Sequence, residues 1–494
     1  MSADKQGSAT GEQDVVTDGG TESAGGDSWF ARYFGFDAHD TDLRTEVLAG
    51  LTTFLSMSYI VVVNPAIMTD QPGDGGFTDG ISITGYTPGE VSQMLAVVTI
   101  LAAFVAIMVM AFYANRPFAQ APGLGLNAFF AFTVVGALGI PWETALAAIV
   151  VEGVIFILLT VGGARRYVIE LFPKPVKFAV GTGIGLFLTI IGLEEMHVVV
   201  DHPATLVTMG QIASDPVAIL SVLGLFLTFV LYVRGVRGSI ILGILVTTII
   251  GWAVTAAGAV DPGVLAPSSL PAAQYDISPL VGAFIRGFQN VEALSFTLVV
   301  FTFFFVDFFD TAGTLTGVSQ VAGFLDEDGN LPDIDKPLMA DAIGTTFGGI
   351  IGTSTVTTYI ESATGVEEGG RTGMTAFTVG ILFLASLAIV PLAAAVPLYA
   401  SHIALVMVGL IMLRNVTDIE WDKAEYALPA GMTILIMPLT FSIAWGIAAG
   451  IITYPIVMAA KGRTSEVAMG QWLLAFAFVI YFIVRTGGIL QATV

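Results

Sequence analysis

Three carboxylates in this chain stand where a carboxylate is costly. Asp307 and Asp310 lie in Phe304-Phe305-Val306-Asp307-Phe308-Phe309-Asp310-Thr311, and Glu361 lies in Thr353-Ser354-Thr355-Val356-Thr357-Thr358-Tyr359-Ile360-Glu361-Ser362. Both runs otherwise suit lipid, and a charge at the centre of a membrane helix costs roughly 2.5–3.5 kcal/mol on insertion scales. Such groups are kept mainly where something polar must be met. Their spacing of three puts Asp307 and Asp310 on one helix face, expected to be interior. Asn127, in an apolar half-span, adds an amide that both donates and accepts. Phe129, Phe308 and Tyr359 offer faces for a flat ligand, and Thr358 and Thr311 place hydroxyls beside the acids. Each group also has a plainer use. Asp310, with Thr311 and Thr314, could only lock the bundle, Asn127 could be interhelical glue, and any one ring could be core.

Taken together, carboxylates that accept N–H edges and an amide that reads mixed edges fit a planar heterocycle bearing ring N–H and C=O groups. A buried carboxyl group can also carry a proton, so loading could be coupled to a proton gradient. That describes a midplane binding site, and the rest of the chain must expose it to either side.

The composition agrees with such a scaffold. The chain has 494 residues, 55% hydrophobic and only 12% charged, against about 25% charged in soluble proteins. This is a polytopic membrane protein. Its net charge of -22 runs against nucleic-acid binding, which needs a basic face. Acidic, Lys-poor loops suit high salt, which points to a halophile. The absence of Cys removes thiol and iron–sulfur chemistry, and four His leave little for a metal site. No cofactor is expected.

Residues 1-28 form an acidic tail expected to be disordered. Apolar windows then fall at 46-68, 92-114, a short 121-138, 142-163, 176-195, 215-233 and 239-258. After the loop 259-294 they resume at 295-320, a weak 338-351, a short 353-366, 372-392, 396-413, 429-441 and 442-461, with a surplus segment at 467-485. With the N-terminus cytoplasmic, all Lys and Arg residues but Arg286 and Arg485 fall inside, as the positive-inside rule prefers. Reading 429-461 as one span would put Lys461 and Arg463 outside, so a broken pair is expected there. Fourteen spans split by 259-294 make seven plus seven, the arithmetic of an inverted repeat. The first repeat is 29-258, the second is 295-466, and 467-494 has no fixed place. The third span of each half is interrupted, by Ala121-Pro122-Gly123-Leu124-Gly125 and by Gly348-Gly349-Ile350-Ile351-Gly352. Such paired interruptions point to a transporter's binding site. Glu194, Glu195 and His197 read as a solvated rim, Asn64-Pro65 and Ser56 as a kink with its satisfier, and Asp326-Glu327-Asp328-Gly329-Asn330 as a solvated turn.

At these residues the chain resembles the AzgA-like adenine/guanine/hypoxanthine permeases, a branch of the nucleobase transporter superfamily that includes uracil and xanthine permeases. The resemblance is carried by Arg44-Thr45-Glu46-Val47-Leu48-Ala49-Gly50-Leu51-Thr52-Thr53-Phe54 with Asn64-Pro65, by Gly123-Leu124-Gly125-Leu126-Asn127-Ala128-Phe129-Phe130 and by Val306-Asp307-Phe308-Phe309-Asp310-Thr311-Ala312-Gly313-Thr314. Two further stretches, Tyr359-Ile360-Glu361-Ser362-Ala363-Thr364-Gly365-Val366 and Gly369-Gly370-Arg371-Thr372-Gly373, complete it. It implies an all-α polytopic membrane protein with a core domain (spans 1-4 and 8-11) and a gate domain (5-7 and 12-14). It also implies that broken spans 3 and 10 start as short strands meeting at the midplane. By motif, Asn127, Asp307 and Glu361 would bind a purine nucleobase and Asp310 would support or couple. Proton symport across the plasma membrane is the implied mode, with sodium the alternative; a homodimer is left open.

Three other classes compete. A uracil, xanthine or small-anion carrier shares the fold, but an anion would not suit three converging carboxylates. A membrane enzyme would show a cluster such as His-Glu-x-x-His, and none is present. A channel suits ring-lined pores better than single carboxylates at broken helices.

Overall fold

The computed structural model describes residues 28–70, 80–163, 172–268, 272–289, 291, 293–326 and 331–486. The tail expected to be disordered, apart from Ser28, lies outside the described residues. So do Arg165 and Arg166, and all of the acidic turn but Asp326.

Long apolar runs fold as helices because a helix satisfies its own backbone where no water can. In chain order they are α1 (Leu43–Met57), α2 (Ile60–Met68), α3 (Pro88–Val109), the short α4 (Leu124–Ala128), α5 (Trp142–Val161), α6 (Lys174–Glu195), α7 (Pro216–Val233) and α8 (Ser239–Ala256). The second half has α9 (Ala293–Ala322), α10 (Asp335–Ile351), the short α11 (Ser362–Glu367), α12 (Gly373–Ala385), α13 (Ile403–Met412), α14 (Ala424–Leu439), α15 (Ile443–Ala460) and α16 (Met469–Thr486). Four strands, β1 (Gln120–Pro122), β2 (Val199–His202), β3 (Leu206–Met209) and β4 (Val356–Thr358), make two small antiparallel pairs, β1 with β4 and β2 with β3. Among the described residues, ten helices, counting continuous pairs as one, are long and apolar enough to cross a membrane. The protein is a multi-pass membrane protein.

Two packed groups of helices emerge. In the first, α1 to α3 and α5 pack with α9 to α12; in the second, α6 packs with α13, α14 and α15, and α7 with α8. The described part of the 259-294 loop touches both groups: Leu265 packs with Val217 and Leu220 of α7, while the Gly282 N–H donates to Ile350 O at 2.8 Å and Arg286 reaches Glu143 at 3.9 Å.

At 429-461 the chain does reverse. Phe441 adopts a left-handed φ of 49° between α14 and α15, and Glu425 at the start of α14 pairs with Lys461 and Arg463 just beyond the end of α15. Helix α16, whose placement the sequence left undecided, packs on both groups. Phe482 meets Trp445 of α15 edge-on at 4.8 Å, and Phe478 meets Phe301 of α9 at 5.8 Å.

Candidate functional site

The threonine-rich run between α10 and α11 crosses the centre of the first group as an extended segment. An extended backbone there needs partners for its polar groups, and β1 supplies them. Gln120, Ala121 and Pro122 pair with Thr358, Thr357 and Val356, while the Gly123 N–H donates to Thr355 O and the Tyr359 N–H to Ala119 O, both at 3.0 Å. The crossing is tight enough to require glycine: a Cβ on Gly123 would lie 2.3 Å from Thr357 Cγ2.

The side chains of this run point alternately to opposite sides and reach polar groups on five different elements. Asn64 Nδ2 of α2 donates to Thr353 Oγ1 at 3.0 Å. The Ser354 hydroxyl donates to Asn127 Oδ1 of α4. Thr355 donates to Glu152 Oε2 of α5 at 3.2 Å, Thr357 to Asp310 Oδ2 of α9 at 3.4 Å, and Thr358 to Asp341 Oδ1 of α10 at 3.0 Å. Tyr359 then donates its hydroxyl to Pro122 O at 2.5 Å. A hydroxyl both donates and accepts on a short stem, which is why Thr and Ser can join so many elements in so little space.

The two aspartates of α9 do not share one environment, as their spacing suggested. Three residues advance a helix by about 300°, leaving a gap of about 60° between the two side chains. That gap decides their surroundings. Asp307 falls on a seam with Phe303, Thr311, Leu315 and Val318, all fully buried. Asp310 falls on a seam with Gly313 and Gly317 that is partly uncovered: among the described residues, a Cβ on Gly313 would meet nothing within 4 Å.

It is therefore Asp310, rather than Asp307, that keeps company with Glu361. Glu361 sits at the N-terminal edge of α11, and its Oε1 accepts from the Tyr59 hydroxyl at 2.6 Å. Asp310 lies within electrostatic reach of both Glu361 and Tyr359. Beside them Ile360 is 44% exposed, so the two carboxylates border open space along α9. Two acceptors flanked by two tyrosines can hold a polar ring edge.

Asp307 instead meets Glu152. The two carboxyl groups are in hydrogen-bonding contact, and both side chains are fully buried. Asp307 Oδ1 also accepts from Thr311 at 3.4 Å. The aromatic candidates near this pair are engaged in packing. Phe129 stands edge-on to Phe303 at 4.8 Å, and Phe308 packs against Phe156 and Phe304 at 5.9 and 6.0 Å. Asn127 is fully buried, and its Nδ2 lacks an acceptor among the described residues.

Four polar residues at the site were not singled out from the sequence. Glu152 and Asp341 carried the same signal that flagged Asp307, an acid inside an apolar window. Gln120, whose amide donates to Asp341, and Tyr59 carried no comparable mark, because a tyrosine between two apolar stretches is ordinary. Asn64 turns out to be more than a kink, since its Nδ2 also donates to Thr99 at 2.6 Å.

The remaining candidates lie elsewhere. His197 pairs with Asp215 at 2.7 Å on the rim of a cleft of about 850 Å³ that also includes Val62, Glu90, Glu195 and Tyr399. Among the described residues, no group of three or more His, Cys, Asp or Glu side chains could hold a metal ion.

Comparison with known proteins gives this arrangement its setting. A model of the Permease family matches residues 44–449. The guanine/hypoxanthine permease PbuG of Bacillus subtilis is 39% identical, over 91% of this chain and 99% of that protein. The adenine permease AdeP of Escherichia coli is 38% identical, over 93% of this chain and 97% of that protein. Among solved structures, the transmembrane domain of the cyanobacterial bicarbonate transporter BicA shares the fold at a TM-score of 0.55 and 15% identity, covering 83% of this chain and 97% of that one. By the extent of these matches the chain belongs to the Permease family and is a transporter, not an enzyme.

Proposed function

We propose that the protein imports purine nucleobases (hypoxanthine, guanine, adenine) by proton symport across the plasma membrane, with its N-terminus in the cytoplasm. The observation that carries this reading is the pairing of Asp310 and Glu361 on an uncovered face where two strands cross. A purine presents N–H groups along its edge, and two carboxylates can accept from them while Tyr59 holds Glu361 and Thr357 holds Asp310 in place. The guanine/hypoxanthine and adenine permeases named above support the same substrate class. In this account Asp310 takes the purine-binding role expected of Asp307.

The first helix group acts as the core and the second as the gate. Fourteen spans in a 7+7 inverted repeat supply both, with the β1–β4 crossing near the pseudo-two-fold axis. Movement of one group past the other would expose the site to each side in turn. The uncovered seam of α9 runs from Asp310 toward the C-terminal end of that helix through Gly313 and Gly317.

Labelled hypoxanthine uptake in a strain lacking its own purine permeases tests the proposal. Unlabelled purines should compete and pyrimidines should not, and collapsing the pH gradient should stop accumulation with sodium still present. Competition by uracil and not by any purine would overturn the substrate class. Accumulation that follows sodium alone would overturn the coupling.

A further inference from the structure

Purine binding at Asp310 and Glu361 leaves one buried acid pair without a task. Glu152 on α5 and Asp307 on α9 face each other in hydrogen-bonding contact, both with no exposed surface. Each uses one oxygen on a threonine, Glu152 Oε2 on Thr355 and Asp307 Oδ1 on Thr311. The other two oxygens, Glu152 Oε1 and Asp307 Oδ2, have no donor among the described residues. Ionised carboxylates only accept hydrogen bonds, so contact between two of them requires a hydrogen on one. Among the described residues no Lys, Arg or His side chain pairs with either group. The charged neighbour is Asp310 on the same helix, whose field reaches Asp307; Asp341 on α10 is turned instead toward Gln120 and Thr358. Asp310 adds negative charge, so no cation among the described residues balances this pair.

We propose that Glu152 and Asp307 share one exchangeable proton and form the coupling-proton site, separate from the acids that bind purine. The inference rests on the symport reading above and names the residues that carry its ion. The chemistry is an acid dissociation: the carboxyl O–H bond breaks, the pair goes from one negative charge to two, and the proton passes to water on the side then open. Loading reverses the step. The doubly charged form is disfavoured in a dry core, because like charges at close range in low dielectric repel strongly, so the unloaded pair resists the movement that would seal it. Information can pass between the sites through one short segment. Thr355 is bonded to Glu152 and Thr357 to Asp310, two residues apart on the strand that crosses β1.

Neutral amides test this directly, since Glu152→Gln or Asp307→Asn leaves one carboxylate facing a permanent N–H donor and mimics the loaded pair. In proteoliposomes, each variant should lose pH-driven hypoxanthine accumulation by at least about tenfold, while hypoxanthine-for-hypoxanthine exchange persists within about threefold and becomes insensitive to pH. In the unmodified protein, infrared difference spectra on hypoxanthine addition should show a change in a carboxylic-acid C=O band that Glu152→Gln removes. Accumulation at the unmodified level in either amide variant would overturn the proposal. So would a spectrum of the unmodified protein without a carboxylic-acid band, which holds even if a variant fails to fold. If the unmodified protein accumulates hypoxanthine without a pH gradient, the symport reading fails first, and that control separates the two failures.

Discussion

Asp307 and Asp310 are neighbours on one turn of α9, yet they sit in different solvents. Asp310 lies on the uncovered seam with Gly313 and Gly317, close to Glu361, with Tyr59 fixing the second acid at 2.6 Å. Asp307 lies on the sealed seam, buried like Phe303, Leu315 and Val318 on the same face, and has Glu152 opposite. The same residue type in the same motif is thus suited to two tasks. An acid that borders open space can meet a ligand of some size, whereas an acid closed in on every side can exchange little more than a proton. Thr357 bonds Asp310, and Thr355 on the same short segment bonds Glu152, the partner of Asp307, which lets separate sites act together.

Substitutions at the uncovered pair should have the largest effect on transport. Glu361→Gln or Asp310→Asn removes a charged acceptor, worth about 1.5–3 kcal/mol per hydrogen bond. Purine uptake should fall by roughly tenfold to more than a hundredfold, with membrane expression retained; uptake equal to the parent would break the assignment. Gly123→Ala tests the crossing that holds both pairs together. With Thr357 Cγ2 2.3 Å from the added carbon, the strands must part, so uptake should be lost along with several degrees of melting temperature. A variant that transports normally would mean that the crossing can widen without cost.

Tyr59→Phe is a finer probe. It deletes one hydrogen bond to Glu361 and should raise the KM for hypoxanthine by about threefold to tenfold, consistent with about 1 kcal/mol; kcat should change less. Glu46→Gln provides the contrast. Glu46 caps the start of α12 by accepting from Arg371 N at 3.0 Å, Thr375 N at 3.1 Å and Thr375 Oγ1 at 2.5 Å. It should lower thermal stability by about 1–2 kcal/mol and leave the KM unchanged.

Much of the scaffold was legible in the sequence because lipid imposes a simple rule, and most apolar windows bounded by turns meet helices, the short windows 121-138 and 353-366 beginning as strands instead. The two interrupted spans were readable for the same reason: Pro122, Gly123 and Gly352 cannot continue a regular helix without loss. The positive charges at Lys461 and Arg463 argued for the reversal at Phe441, and Glu425 now shows what they bind. Within the site, acids in apolar runs marked Asp307, Asp310 and Glu361. The different surroundings of the two aspartates were not readable, because they depend on about 60° of helix rotation and on which helices cover each seam. Tyr59 was hidden for a related reason. Its partner is 302 positions away in the chain, and nothing local distinguishes it from a core tyrosine.

The central claim is that the uncovered acid, not the sealed one, receives the purine. Equilibrium binding of labelled hypoxanthine to purified Asp310→Asn and Asp307→Asn tests it most directly. The account predicts that Asp310→Asn loses binding while Asp307→Asn still binds. Retained binding in Asp310→Asn together with loss in Asp307→Asn would contradict it.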